Sequence, residues 1–134
     1  MKRFSLVLFL ALALACFIAL PVWSGSPHFV TCSQSINGNT MTVDGKETGL
    51  GNEAQVHIEV TAMAACINPG SKHPTAANKE SLTAGDDFPI QNGQALFSLQ
   101  LTSTFQPSCS PPMSVEFSDM TVTDTTHGIS CTLD

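Results

Sequence analysis

The side chains best suited to acid–base or metal chemistry in this sequence are its histidines, because imidazole exchanges protons near neutral pH. There are four of them, His28, His57, His73 and His127. The sequence contains no serine-nucleophile elbow, zinc-protease histidine pair or glycine-rich phosphate loop to accompany them. His57 occupies a polar position in an alternating segment, which favours a solvated side chain. We therefore predict that the protein has no catalytic residues and is not an enzyme.

Two groups of residues have side chains that metal ions bind. Cys66 and His73 are zinc ligands by type, but the sequence lacks the closely spaced ligand pairs of zinc sites. The adjacent Asp86 and Asp87 suit calcium, but the regular ligand spacing of a calcium loop is absent. We interpret the two aspartates as part of a solvated turn, and we expect neither a metal site nor a cofactor.

The first 24 residues have the three parts of a secretory signal peptide. Lys2 and Arg3 form a basic start, an apolar segment follows over residues 4–20, and small residues precede the predicted cleavage site. A membrane anchor is the weaker alternative because no basic stop-transfer cluster follows. Lipoprotein processing at Cys16 is also weaker because apolar residues follow this cysteine. We predict a secreted protein whose single mature domain covers residues 25–134.

Charge limits the partners of this mature domain. Its 110 residues keep three lysines, no arginine and all eleven acidic residues, which gives a net charge of −8. Nucleic acids and anionic membranes are bound by clustered lysine and arginine side chains. We therefore predict no nucleic-acid partner and no membrane contact after removal of the signal peptide.

Residues 54–66, AQVHIEVTAMAAC, alternate between small or apolar side chains and mostly polar ones. A period of two is typical of a strand with one buried and one solvated face. A helix would instead bring Val56 and Glu59 onto one face, which mixes the two classes. We predict that this segment is the central strand of an all-β domain.

Shorter segments with the same alternation occupy much of the remaining chain. Val30 and Cys32 share a parity in the first of them, so we expect both on its buried face. Asn-Gly pairs at residues 37–38 and 92–93 favour the positive φ angles of tight turns. The further predicted strands cover residues 28–36, 41–43, 80–84, 88–91, 94–104, 115–122 and 129–133.

Turns are also predicted at Asp44-Gly45, at Gly85-Asp86-Asp87 and over residues 123–128. The apolar parity changes between Phe117 and Met120, which indicates a β-bulge near Ser118-Asp119. Seven or eight short strands without a helical pattern predict an antiparallel β-sandwich of the immunoglobulin or fibronectin type III kind.

Four cysteines remain after the signal peptide, and an even number in an exported protein indicates two disulfides. Cys32 and Cys131 lie beside apolar residues in the first and last strands, which commonly approach each other in a sandwich. Cys66 and Cys109 lie at the two longest loops. We predict structural Cys32–Cys131 and Cys66–Cys109 bonds; the alternative pairings join Cys66 or Cys109 to the terminal strands.

Several turn and loop motifs extend over most of the mature sequence. They are Gly49-x-Gly51-Asn52, Cys66-x-Asn68-x-Gly70, Pro74, Asn78-Lys79, Cys109 and Thr123-Asp124-Thr125-Thr126-x-Gly128. In these motifs the sequence resembles a group of small, uncharacterised exported bacterial proteins. The resemblance implies an extracellular β-rich domain and assigns no site. It does not include Cys32 and Cys131, so their pairing depends on the parity argument.

Two long loops are the predicted interaction surface, at residues 67–79 and 106–112. The predicted Cys66–Cys109 bond would stiffen both loops, and a stiff loop loses less entropy on binding. We predict a non-enzymatic binding or structural module with an extracellular or envelope protein as partner. The alternative is a secreted inhibitor or toxin-like effector that acts through residues 67–79. The oligomeric state is left open, and the candidate interaction residues are Asn68, Lys72, His73, Asn78 and Lys79.

Overall fold

The computed structural model describes residues 25–70 and 78–134, so the predicted signal peptide lies outside the described residues. Among the described residues, no helix is long and apolar enough to cross a membrane. The strands are β1 (His28–Asn37), β2 (Thr40–Thr48), β3 (Gln55–Ile67), β4 (Lys79–Pro89), β5 (Gln94–Thr102), β6 (Ser114–Asp124) and β7 (Ile129–Leu133).

The seven strands of the described residues form two antiparallel sheets. One sheet has the order β1-β2-β5 and the other has the order β4-β3-β6-β7. The chain crosses from one sheet to the other after β2, β4 and β5, which gives the sandwich architecture of immunoglobulin-like domains. Buried side chains from both sheets meet in one hydrophobic core. The predicted all-β sandwich is therefore confirmed.

β3 is the central strand of the larger sheet, as its alternation predicted. Its 13 residues pair with β4 on one side and with β6 on the other. Val56, Ile58 and Val60 are fully buried, whereas the residues between them are partly exposed. Every second side chain of β3 therefore packs in the core, and the side chains between them face the other side of the sheet.

β6 contains the predicted bulge. Its register against β3 shifts between Thr61 and Met63, so β6 has one additional residue there. Asp119 adopts a φ of 51° at this point. After the bulge, Met120 and Val122 are buried on a parity different from that of the first half of the strand.

β2 continues through Asp44-Gly45, so the turn predicted there is wrong. Gly45 makes room for an aromatic ring instead: a Cβ atom would lie 2.1 Å from Cζ of Phe97 and 2.6 Å from the carbonyl oxygen of Thr31. Glycine within a strand commonly marks such a close approach. Because the strand continues, Glu47 lies on its buried face.

The turn predicted at residues 85–87 is also wrong. β4 is unbroken and pairs with β3 over its whole length, with Asp86 opposite Ile58 and Asp87 opposite His57. A long partner strand overrides the local preference of Gly-Asp-Asp for a turn. The two aspartates are therefore exposed strand residues, and the two strands predicted on either side are one.

β1 differs from its prediction at Val30, which is 53% exposed. The register of β1 against β2 shifts between Phe29 and Thr31, and Phe29 and Cys32 pack against the core instead. The rings of Phe29 and Phe97 meet edge to face, with their centroids 5.9 Å apart. This irregularity reverses the parity that the first strand was expected to keep.

Both predicted Asn-Gly turns are present. Gly38 has a φ of 61° between β1 and β2, and Asn92 and Gly93 have φ angles of 53° and 72°. Backbone hydrogen bonds in both directions between Gln91 and Gln94 close the second turn. That turn leads from β4 to β5, which belong to different sheets.

The predicted disulfide pairing is confirmed. Cys32 and Cys131 join β1 to β7, and therefore join the edges of the two sheets. Cys66 and Cys109 join the end of β3 to the connection between β5 and β6.

Candidate functional site

The connections between strands collect at two ends of the sandwich. The disulfide end contains the Cys66–Cys109 bond, the β1–β2 turn and residues 103–113 between β5 and β6. The carboxylate end contains residues 49–54 between β2 and β3 and residues 125–128 between β6 and β7.

The predicted interaction loop begins and ends at the disulfide end. Asn68 follows β3, and its side-chain oxygen accepts a hydrogen bond from a backbone amide two residues later, at 3.4 Å. Asn78 and Lys79 are exposed at the beginning of β4, whereas Lys72 and His73 lie outside the described residues. The three described candidates share one end of the molecule, and no hydrogen bond joins one of these three to another.

A groove of about 780 Å³ lies beside the Cys66–Cys109 bond. The β1–β2 turn forms one wall, and residues 103–115, which include the second predicted interaction loop, form the other. Ile36 lines the groove with 49% of its surface exposed, together with Phe105 and Met113. Among the described residues that line the groove, none is charged.

Glu80 holds the beginning of the loop at residues 103–113 through two hydrogen bonds. Its Oε2 accepts a hydrogen bond from the backbone N–H of Thr104, and its Oε1 accepts one from the Thr104 hydroxyl, both at 2.9 Å. These hydrogen bonds connect the beginning of that loop to β4.

The carboxylate end contains two completely buried acidic side chains. Glu47 lies in β2 on the same face as Val43, and Asp124 ends β6 on the same face as Val122. Both carboxylates are 0% exposed. A buried carboxylate is costly unless it is hydrogen-bonded or paired with a cation.

The buried carboxylate of Asp124 is hydrogen-bonded to residues of the β6–β7 turn. Its Oδ1 accepts hydrogen bonds from the backbone N–H groups of Thr126 and His127, at 2.7 and 3.1 Å. Its Oδ2 lies 2.5 Å from Nδ1 of His127. One side chain therefore organises most of this turn.

Both ring nitrogens of His127 are engaged by carboxylates. Nδ1 contacts Asp124, and Nε2 lies 2.9 Å from Oε1 of Glu53. The hydrogen bond with Glu53 raises the pKa of His127; burial opposes this effect, and the hydrogen bond and charge of Asp124 reinforce it. The arrangement favours the doubly protonated ring, which donates one hydrogen bond to each carboxylate.

The buried carboxylate of Glu47, in contrast to that of Asp124, lacks hydrogen bonds within the part of the chain that the structure describes. Neither of its carboxylate oxygens has a hydrogen-bond partner among the described residues. Burial raises its pKa to about 8, and the negative charge of the nearby Asp124 acts in the same direction. Two carboxylates facing each other need a cation between them, either a proton or a metal ion.

The side chains of His28 and His57 have partners outside this cluster. His57 is on the solvated face of β3, as its position predicted, and its Nδ1 lies 2.7 Å from Oδ1 of Asp87. Both side chains of this pair are about half exposed, at 43% and 50%. His28 contacts the backbone carbonyl oxygen of Ser26. Cys66 is in a disulfide and therefore does not bind zinc with His73.

The buried cluster was not predicted, although the alternation of apolar and polar residues contained the signal. Glu47 has the parity of Met41 and Val43, but the turn predicted at Asp44-Gly45 ended the strand before it. Asp124 has the parity of Met120 and Val122, but it was assigned to the turn that follows. A carboxylate at an apolar parity is the pattern that would have identified both residues.

Comparison with known proteins found no family model, no curated protein and no solved structure that matches this chain. The fold and disulfides of residues 25–70 and 78–134 define the class: an all-β sandwich of seven strands with two disulfides. Disulfides of this kind are consistent with an oxidising, extracellular environment.

Proposed function

We propose that this protein is a secreted, non-enzymatic binding module. Its partner is an extracellular or envelope protein, which presents an extended, uncharged segment to the groove at the disulfide end. The observation that supports this most is the Cys66–Cys109 bond, which ties the end of β3 to the loop that forms one wall of the groove. Binding to a surface stiffened in this way loses less conformational entropy.

The chemistry of the groove supports an uncharged partner segment. The mature chain has a net charge of −8, yet the groove residues contribute no charge and include Ile36, Phe105 and Met113. A groove lined by apolar side chains and by the hydroxyl groups of serine and threonine suits partner side chains of the same kind. A strongly cationic partner would find no carboxylate in this groove.

The contacts of His57 and His127 support a role without catalysis. His127 has a carboxylate at each ring nitrogen, so neither nitrogen is free to take a proton from a substrate. His57 pairs with Asp87 on an exposed sheet face. A general base works from a position beside the proton that it removes, commonly in a shielded pocket.

The experiment begins with capture from the extracellular and envelope proteins of the producing cell, by protein with both disulfides formed. Each captured protein is then purified and its Kd is measured. Ile36→Glu introduces a charge into the groove, and we expect it to weaken binding about tenfold or more. Leu96→Glu is the matched control, because Leu96 is an exposed apolar residue, at 72%, outside the groove.

An unchanged Kd in Ile36→Glu, or equal loss in both variants, would contradict the groove as the binding site. So would a partner segment that proves highly charged when the complex is mapped by limited proteolysis. If the partner is an enzyme that loses activity in the complex, the same groove serves the alternative role of an inhibitor.

A further inference from the structure

The side chain that most needs an explanation is Glu47. It is 0% exposed, and neither of its oxygens has a hydrogen-bond partner among the described residues. Most buried polar atoms in proteins have such a partner. The groups that Glu47 faces are the carboxylate of Asp124 and the ring of His127, so its oxygens point into a set of metal-binding atoms.

We propose that Glu47, Asp124 and His127 bind a single divalent transition-metal ion of the Zn²⁺ class inside the sandwich. One ligand atom from each of these residues lies within 4.8 Å of the other two. An ion with bond lengths of about 2.0–2.2 Å holds its ligands roughly 3–4.4 Å apart. Small side-chain rotations are therefore enough to close the site around an ion.

The atoms around the three ligands already have the arrangement that supports a metal site. Ligating histidines generally donate their second ring N–H to a carboxylate, which fixes the orientation of the ring. Nε2 of His127 does this with Glu53 at 2.9 Å, which leaves Nδ1 on the side of the ion. The backbone amides of Thr126 and His127 hold Oδ1 of Asp124, which leaves Oδ2 for the ion.

The ligand types select the kind of ion. An imidazole beside carboxylates suits Zn²⁺ and its neighbours in the transition series, whereas Ca²⁺ prefers six to eight oxygen ligands. Two carboxylates and a neutral imidazole also balance a divalent charge. A buried site with no net charge avoids the desolvation cost of an isolated ion.

The position of the ligands indicates a structural role for the ion. Glu47 belongs to β2 of one sheet, whereas Asp124 and His127 belong to β6 and the β6–β7 turn of the other. The ion would therefore link the two sheets at the carboxylate end. Because Glu47 and Asp124 are not exposed, the ion offers no open face to a substrate. This inference is independent of the proposed function at the opposite end.

The test uses untagged, disulfide-bonded protein that has been treated with a chelator and transferred to chelator-free buffer near neutral pH. Titration calorimetry with Zn²⁺ should show one equivalent bound, with a Kd below about 1 μM. At a hundredfold excess over Kd, the Tm should rise by about 10 °C. Mn²⁺ should bind more weakly than Zn²⁺, and Ca²⁺ at least about 100-fold more weakly.

Three variants separate this site from surface binding. Glu47→Gln keeps the shape of the side chain but removes its charge, and it should weaken Zn²⁺ binding about 100-fold or more. Glu53→Gln changes the hydrogen-bond partner of His127 Nε2 and no proposed ligand, and it should weaken Zn²⁺ binding about tenfold. His57→Gln is the control at the exposed histidine–aspartate pair, and it should leave the affinity unchanged.

X-ray absorption at the zinc edge gives a readout on the unaltered protein, whether or not the variants fold. The expected spectrum shows one imidazole and carboxylate oxygens without sulfur. The proposal is overturned by the absence of stoichiometric binding, by sulfur ligation, by a preference for Ca²⁺, by full affinity in Glu47→Gln, or by loss of affinity in His57→Gln.

Discussion

The two ends of the sandwich are held together in different ways. At the carboxylate end, short connections are fixed by many hydrogen bonds, in which Asp124 and His127 take part. The β6–β7 turn is further tied to β3, because the N–H of Thr125 donates to the carbonyl oxygen of His57. At the disulfide end, the longer connections are joined by a covalent bond between Cys66 and Cys109.

Because of this difference, the two ends should respond to different solution conditions. A disulfide is insensitive to moderate changes of pH and is removed by reduction. A buried carboxylate–histidine cluster is unaffected by reductants and responds to protons and cations. The disulfide end, with the groove of about 780 Å³, is thus preserved in an oxidising environment, whereas the carboxylate end depends on the ionic conditions.

The largest expected loss of stability comes from removing the Cys66–Cys109 bond at the disulfide end. Replacing Cys66 and Cys109 together by alanine releases a loop with a sequence separation of 43 residues. In the chain-entropy model, this lowers the free energy of unfolding by about 4 kcal/mol. Chemical denaturation followed by far-ultraviolet circular dichroism measures it.

Hydrogen exchange on the same variant tests whether the ends are independent. Protection should fall in residues 103–113 and at the end of β3, while residues 125–128 remain protected. A loss of less than about 1 kcal/mol, or equal loss of protection at both ends, would show that the covalent bond is not what separates them.

The next effect comes from breaking the carboxylate end. Asp124→Ala leaves two backbone N–H groups and the His127 ring without their acceptor, and it should cost about 3 kcal/mol in protein kept free of metal. Asp124→Asn is the matched control, because its amide oxygen still accepts from the turn. If both variants lose the same stability, the turn hydrogen bonds are not the stabilising part of the cluster.

The fold was predictable from sequence wherever alternation was uninterrupted. β3 and β5 met this condition, and the bulge in β6 was visible because apolar residues lie on both sides of it. The errors have local causes. Gly45 resembles a turn residue but serves the packing of Phe97, and the shift at Val30 reverses parity without any marker in the sequence.

The candidate sites were predictable to different degrees. The disulfide end followed from cysteine count, loop composition and parity, so its pairing was predicted correctly. The cluster at the carboxylate end brings Glu47 close to Asp124, and the two residues belong to different sheets. Sequence spacing carries no information about that contact, and only the parity of each residue indicated burial.

The third prediction concerns the pH dependence of the metal-free protein. The pKa of Glu47 is raised from 4.5 to about 8 in the folded state. The stability it contributes is therefore complete below pH 4.5 and is lost as pH rises toward 8. The raised pKa of His127 acts with the same sign. Between about pH 5 and pH 8, the free energy of unfolding should fall by about 2 kcal/mol, since neighbouring groups relax around a buried charge.

Glu47→Gln tests the origin of this slope. The variant removes the titrating group, so most of the fall should disappear, and at pH 8 the variant should be more stable than the unaltered protein. Thermal unfolding in the presence of a chelator measures both quantities. A slope that persists unchanged in the variant would assign the pH dependence to other groups.

The smallest effect concerns Glu80, whose two hydrogen bonds to Thr104 form a polar contact at the disulfide end. These bonds are exposed, so Glu80→Ala should lower the free energy of unfolding by only about 1 kcal/mol. Glu116→Ala, at an exposed position of β6, is the control and should be nearly neutral. If Glu80→Ala costs about as much as removal of the disulfide, hydrogen bonds rather than the covalent bond hold this end. If both glutamate variants are neutral, the disulfide stabilises the disulfide end without a contribution from Glu80. The two ends would then differ more clearly, with a covalent bond at one and hydrogen bonds at the other.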